Sequence, residues 1–177
     1  MSLTNTSVLI AQDSAVPTGL NRTRLASTFS RAVRALRSDQ PLSEDQMRQV
    51  APSIFAADKH ASRSQRYTYI PTIEILRGLR EEGFEAFMVA QGGSRVPGKA
   101  EYTKHLIRMR HRGQVVQSRA EAPEIILINS HDGASSYQML AGMIRYACLN
   151  GLVVGSDIQD IRLPHKGNVR DQVVEGA

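Results

Sequence analysis

The sequence predicts one α+β domain: an antiparallel three- or four-stranded sheet, a β-hairpin included, with a long central helix packed on one face. Three observations lead there. Residues 102–112 alternate side-chain character with a period of two, the mark of a strand. Residues 124–129 form an apolar run beyond a polar stretch, 117–123, which makes the two runs a candidate hairpin. Residues 135–149 place Tyr137, Leu140, Ala141, Ile144, Ala147 and Cys148 on one broad helical face.

Residues 1–20 are rich in Ser, Thr and Asn without periodicity and read as a flexible arm, followed by a single domain over 21–161. Leu25, Phe29, Ala32, Val33 and Leu36 form a helical stripe from Asn21 onward. Ser43 and Gln46 have capping-box spacing, so a second helix is expected to start there, limited or restarted by Pro52. Arg66–Ile70 is β-branched and aromatic and reads as a strand. Pro71 ends it and opens a helix through Ile73, Leu76 and Leu79, with Gly83 placed for a left-handed stop. Phe84–Ala90 reads as a strand, and 91–98 is the clearest loop. The hairpin strands span 102–116 and 124–129, the long helix ends at Asn150-Gly151, and 152–154 is a short strand. Residues 162–177 are a tail or the start of a missing segment.

Composition excludes several classes. With 177 residues, 41% hydrophobic and 22% charged, the chain is an ordinary globular one rather than disordered. Its one cysteine, Cys148, excludes an internal disulfide framework and fits a reducing cytoplasm. Arg145 interrupts the longest apolar run, so no membrane helix is expected, and residues 1–5 show no secretory leader.

Charge gives the positive clue. Lys+Arg 22 against Asp+Glu 17 leaves a net +5, and only Lys59, Lys99, Lys104 and Lys166 are lysines. The segment 95–112 holds Arg95, Lys99, Lys104, Arg108, Arg110 and Arg112 against Glu101, which equals the net charge of the whole chain. On an extended strand Lys104, Arg108, Arg110 and Arg112 share one face with Tyr102 and Leu106, opposite Thr103, His105, Ile107, Met109 and His111. A row of exposed arginines suits a phosphate backbone, with Tyr102 as the base-stacking residue. The competing reading is an edge strand defended by charge.

Ser130-His131-Asp132-Gly133 lies between a strand and the expected helix, where Asp132 serves as cap and Gly133 as tight turn. His131 and Asp132 have no partner at ligand or triad spacing, so neither metal, cofactor nor catalytic residue is expected; a metal-dependent nuclease is the least unlikely enzyme.

Two stretches, 129–136 and 145–153, resemble the phage/plasmid-like family of domains of unknown function (family 932), through its "SHDGS" turn and its "R-x-x-C-x-N-G-L" helix end. Residues 64–72 are similar to its "S-x-x-Y-x-x-I-P-T" start and 164–168 to its "R-H-x-G-N" element. A more distant resemblance is to single-strand annealing recombination proteins, through Tyr69-Ile70-Pro71, Arg145-Tyr146-Ala147 and Asn150-Gly151-Leu152. It implies a basic hairpin that binds single-stranded DNA. The expected function is therefore a non-enzymatic single-stranded DNA-binding or annealing protein of a phage or plasmid, acting in recombination or replication as a homo-oligomer, with RNA as an alternative ligand. The runner-up is a host-interaction factor whose protein partner is a bacterial defence complex that it inhibits.

Overall fold

The computed structural model describes residues 33–114, 121–146, 153–163 and 165. Among these residues six antiparallel strands lie side by side in sequence order: β1 (Val33–Arg37), β2 (Phe84–Gly92), β3 (His105–His111), β4 (Glu121–Asn129), β5 (Tyr137–Tyr146) and β6 (Val153–Leu163). Two short helices, α1 (Glu44–Val50) and α2 (Thr72–Glu81), lie in the connection between β1 and β2, with a 3-10 turn at Pro52–Phe55. The expected three- or four-stranded sheet under a long central helix is corrected to a mostly β architecture.

The largest difference lies at Tyr137–Tyr146. Tyr137–Tyr146 is a strand, paired to β4 on one side and β6 on the other. Tyr137 and Met139 join the core beneath the helices, while Leu140 joins a second apolar cluster on the opposite face. Both faces of this strand take apolar residues, so the run has no clean period of two and satisfies helical spacing equally well. Long-range pairing decides between them, and Gly142 is a poor residue for a helix interior. Tyr137 is fully buried.

Two further elements differ. Residues 66–70, read as a strand, are irregular; the Tyr67 and Tyr69 hydroxyls bond to the carbonyls of Ser130 and Ala56. Their aromatic content serves packing around a loop rather than a sheet. Val33–Arg37, read as the end of a helix, is edge strand β1 against β2. The start of that stripe, the arm, Cys148, the Asn150-Gly151 stop, most of the 117–123 connection and the tail beyond His165 lie outside the described residues. Residues 153–154 of the expected short strand open β6.

Other expectations hold. Ser43 caps α1 with a full capping box: its hydroxyl accepts from the Gln46 amide, and the Gln46 side chain accepts from the Ser43 amide. Pro71 stands at the N-cap of α2, and Gly83 follows the helix with φ +93. β3 and β4 pair from His105↔Asn129 to Met109↔Ile125.

The helices cover one face of the sheet. Leu42, Met47, Ile54, Leu76 and Leu79 pack on Val89, Ile107, Met109, Ile125 and Leu127. Met88, Ala90, Leu106, Ile126, Ile128 and Leu140 cluster on the opposite, outer face. A bulge at Phe87 shifts the β2–β3 register and switches β2 from Ala86 on the inner face to Met88 on the outer one.

Candidate functional site

The parity expected for β3 is what the two clusters display. Ile107 and Met109 face the helices; Leu106 faces out, on the side of the sheet that carries Arg108 and Arg110. The arginines do not form a bare row. Arg108 is buried, and its Nε donates to Glu124 Oε2 at 2.6 Å. Arg110 Nε donates to Glu124 Oε1 at 2.7 Å. Arg112, exposed, donates from Nε to Glu85 Oε1 at 3.2 Å and from Nη2 to the Arg80 carbonyl at 3.1 Å. Burial pulls the Arg108 guanidinium below its ordinary pKa, and the Glu124 charge opposes that shift.

The other basic residues lie elsewhere. Arg95 is exposed in the loop after β2. Lys99 pairs with Asp132 Oδ2 at 3.2 Å, and Tyr102 is half-buried with its ring edge-on to His60, centroids 5.2 Å apart. Lys104 is half-buried, and that burial lowers its ammonium pKa. The segment 95–112 therefore divides between two ends of the sheet.

One partner was not foreseen. Arg37, from β1, stands across Met88 from Arg108: the register runs Arg37↔Met88↔Arg108. Arg37, Arg108 and Arg110 border a small outer-face cleft, with Asp39, Glu124 and Phe87. The Arg110 guanidinium carbon lies 5.9 Å from the Phe87 ring centre. Three guanidiniums against two carboxylates leave the cleft cationic.

The opposite side of β3 leads to a second polar centre. His105, fully buried, has Nδ1 at 2.9 Å from Ser53 Oγ and Nε2 at 2.9 Å from Thr72 Oγ1. Ser53 Oγ donates to Gln91 Oε1, and Thr72 Oγ1 accepts from Asn129 Nδ2, so the network places the proton on His105 Nδ1. His131 packs beside it, ring centres 5.3 Å apart, and 5.0 Å from Tyr69. Its two ring nitrogens are buried, and neither has a partner among the described residues. The Ser53 carbonyl lies near that ring without hydrogen-bonding geometry. Burial, then the charge of His165, pushes the His131 pKa down to about 4. His165 stacks on Tyr67 at 4.4 Å and bonds through Nδ1 to the Thr68 carbonyl at 2.9 Å.

Asp132 does not cap a helix. Its Oδ1 accepts from Ala134 N at 2.9 Å and closes a tight turn at Gly133, φ +75, over which the Arg63 side chain lies. His131 and Asp132, isolated in sequence, thus acquire His105, His165, Tyr67, Tyr69 and Lys99 as neighbours. Among the described residues no group of three or more His, Cys, Asp or Glu is arranged to hold a metal ion.

The family described as a domain of unknown function (DUF932) matches residues 59–177. The chain belongs to that family. Two similar proteins are the UPF0380 proteins YafZ and YfjQ of Escherichia coli (strain K12), each 53% identical over 155 residues. The matches cover 88% of this chain and 56% of each relative, so the chain spans little more than half their length. No solved structure matches. The DUF932 stretches at 64–72 and 129–136 meet in space together with His165, at the histidine centre. The Tyr67 hydroxyl donates to the Ser130 carbonyl at 2.7 Å, Asn129 Nδ2 donates to the Ile70 carbonyl at 3.1 Å, and Thr68 N donates to the His165 carbonyl at 2.9 Å.

Proposed function

We propose that this DUF932 chain is a non-enzymatic nucleic-acid-binding protein that holds a single-stranded DNA backbone against the outer face of its sheet. The observation that supports it most is the gathering of Arg37, Arg108 and Arg110, from two strands, around one cleft beside Phe87. Guanidinium groups bind phosphate oxygens bidentately and stay charged. Phosphate contacts carry no sequence information, so binding is sequence-tolerant and strongly salt-dependent. The expectation of annealing loses its argument, since the long helix on which that resemblance drew is strand β5.

Salt-titrated fluorescence anisotropy with labelled single-stranded DNA, single-stranded RNA and duplex DNA tests the proposal. Binding that weakens log-linearly with salt, at a similar level for unrelated single-stranded sequences, is the expected result. No measurable binding at low salt overturns it and leaves the protein-binding, host-interaction role as the better reading.

A further inference from the structure

Glu124 is the anion that two arginines of β3 share. Its carboxylate is buried, and each oxygen is held by a different guanidinium, Oε1 by Arg110 and Oε2 by Arg108. Two arginines converging on the two oxygens of one anion is also how a nucleic-acid phosphate is gripped. Register explains the convergence. Arg108 sits opposite Ile126, and Glu124 is the same-face position two residues along β4, within diagonal reach across the strands. Its partner on β5 is Gly142, which has no side chain to compete for the space. The Glu124 side chain is only 2% exposed and that of Arg110 is 23% exposed, so the arginine is the member of the group that reaches the cleft opening.

We propose that Glu124 is an intramolecular stand-in for the ligand phosphate. It keeps Arg108 and Arg110 converged while no nucleic acid is bound, and it competes with the incoming phosphate for them. This rests on the nucleic-acid reading above and names the regulation of the same cleft. A bound backbone phosphate takes guanidinium contacts from the carboxylate, so the carboxylate weakens binding relative to an uncharged side chain of the same shape.

The test is Glu124→Gln in the full chain, measured against an oligodeoxythymidylate across a salt series, with circular dichroism to check folding. Gln keeps the shape and one acceptor oxygen but not the charge. The expected result is several-fold tighter binding at each salt concentration with the log–log slope kept, because the same guanidiniums contact phosphate in both complexes. If the parent binds and folded Glu124→Gln binds equally or more weakly, the competition is refuted while the nucleic-acid reading stands. If neither binds at low salt, both fall. Should Glu124→Gln not fold, Glu124→Asp keeps the charge but shortens the reach to both arginines; tighter binding supports the competition, and unchanged affinity refutes it.

Discussion

Strand β3 carries two polar centres on opposite faces, and they solve the problem of burial differently. On the outer face Arg108 and Arg110 are charged and share the carboxylate of Glu124. On the inner face His105 is neutral and is held by the hydroxyls of Ser53 and Thr72. A buried guanidinium cannot shed its proton and needs a counterion, whereas an imidazole can lose its charge and then needs only hydrogen bonds. The first centre therefore answers to charge and salt, and the second to acid.

The largest expected effect breaks the outer centre. Glu124→Ala leaves two guanidiniums without their shared anion, and loss of a buried pair's partner typically costs ~3–5 kcal/mol. Chemical denaturation at neutral pH measures it. A loss below about 1 kcal/mol, the range of an exposed pair, would mean that solvent replaces Glu124.

Acid addresses the inner centre. Burial holds His105 well below the ordinary imidazole pKa and His131 at about 4, so the unfolded chain takes up these protons first. Stability is complete above roughly pH 6.5 and falls as the pH drops from there toward 4, His131 alone contributing on the order of 3 kcal/mol. Denaturation midpoints at pH 7, 6 and 5 should decline in the parent. Imidazole resonances that titrate near pH 6.5 for both residues in the folded protein would contradict this.

Ser43→Ala lies in neither centre and calibrates both. It removes the cap of α1 and should cost ~1 kcal/mol, independent of pH between 6 and 8. Arg112→Ala should have the smallest effect, under ~0.5 kcal/mol, because its pair with Glu85 is exposed. A thermal melt separates the two, and equal losses would show that the capping box contributes nothing.

The outer centre was partly legible in the sequence because its information is local. Alternation alone assigns Arg108 and Arg110 to one face and Ile107 and Met109 to the other. Their counterion was not legible: Glu124 was only the first residue of an apolar run, and its pairing depends on register. Arg37 was hidden for a similar reason, since it sat in a segment with helical spacing. The histidine centre was scarcely legible. It gathers residues 53, 67–72, 105, 129–132 and 165 through tertiary contacts, and spacing rules detect only ligands that are close in sequence. The sole advance signal was that the stretches resembling DUF932 hold Tyr67, Tyr69, Thr72, His131, Asp132 and His165.

The central claim is that the outer face binds a phosphate backbone, and the double variant Arg37→Ala/Arg110→Ala tests it most directly. Arg108 then still pairs with Glu124, so folding should survive. Measured against oligodeoxythymidylate over a salt series, the variant should lose about 1.4 in log–log slope, ~0.7 per phosphate contact. Affinity should fall for unrelated single-stranded sequences alike, while His131→Ala, provided it is folded, keeps the parental slope. A double variant that binds as tightly as the parent, with the same slope, would contradict the account.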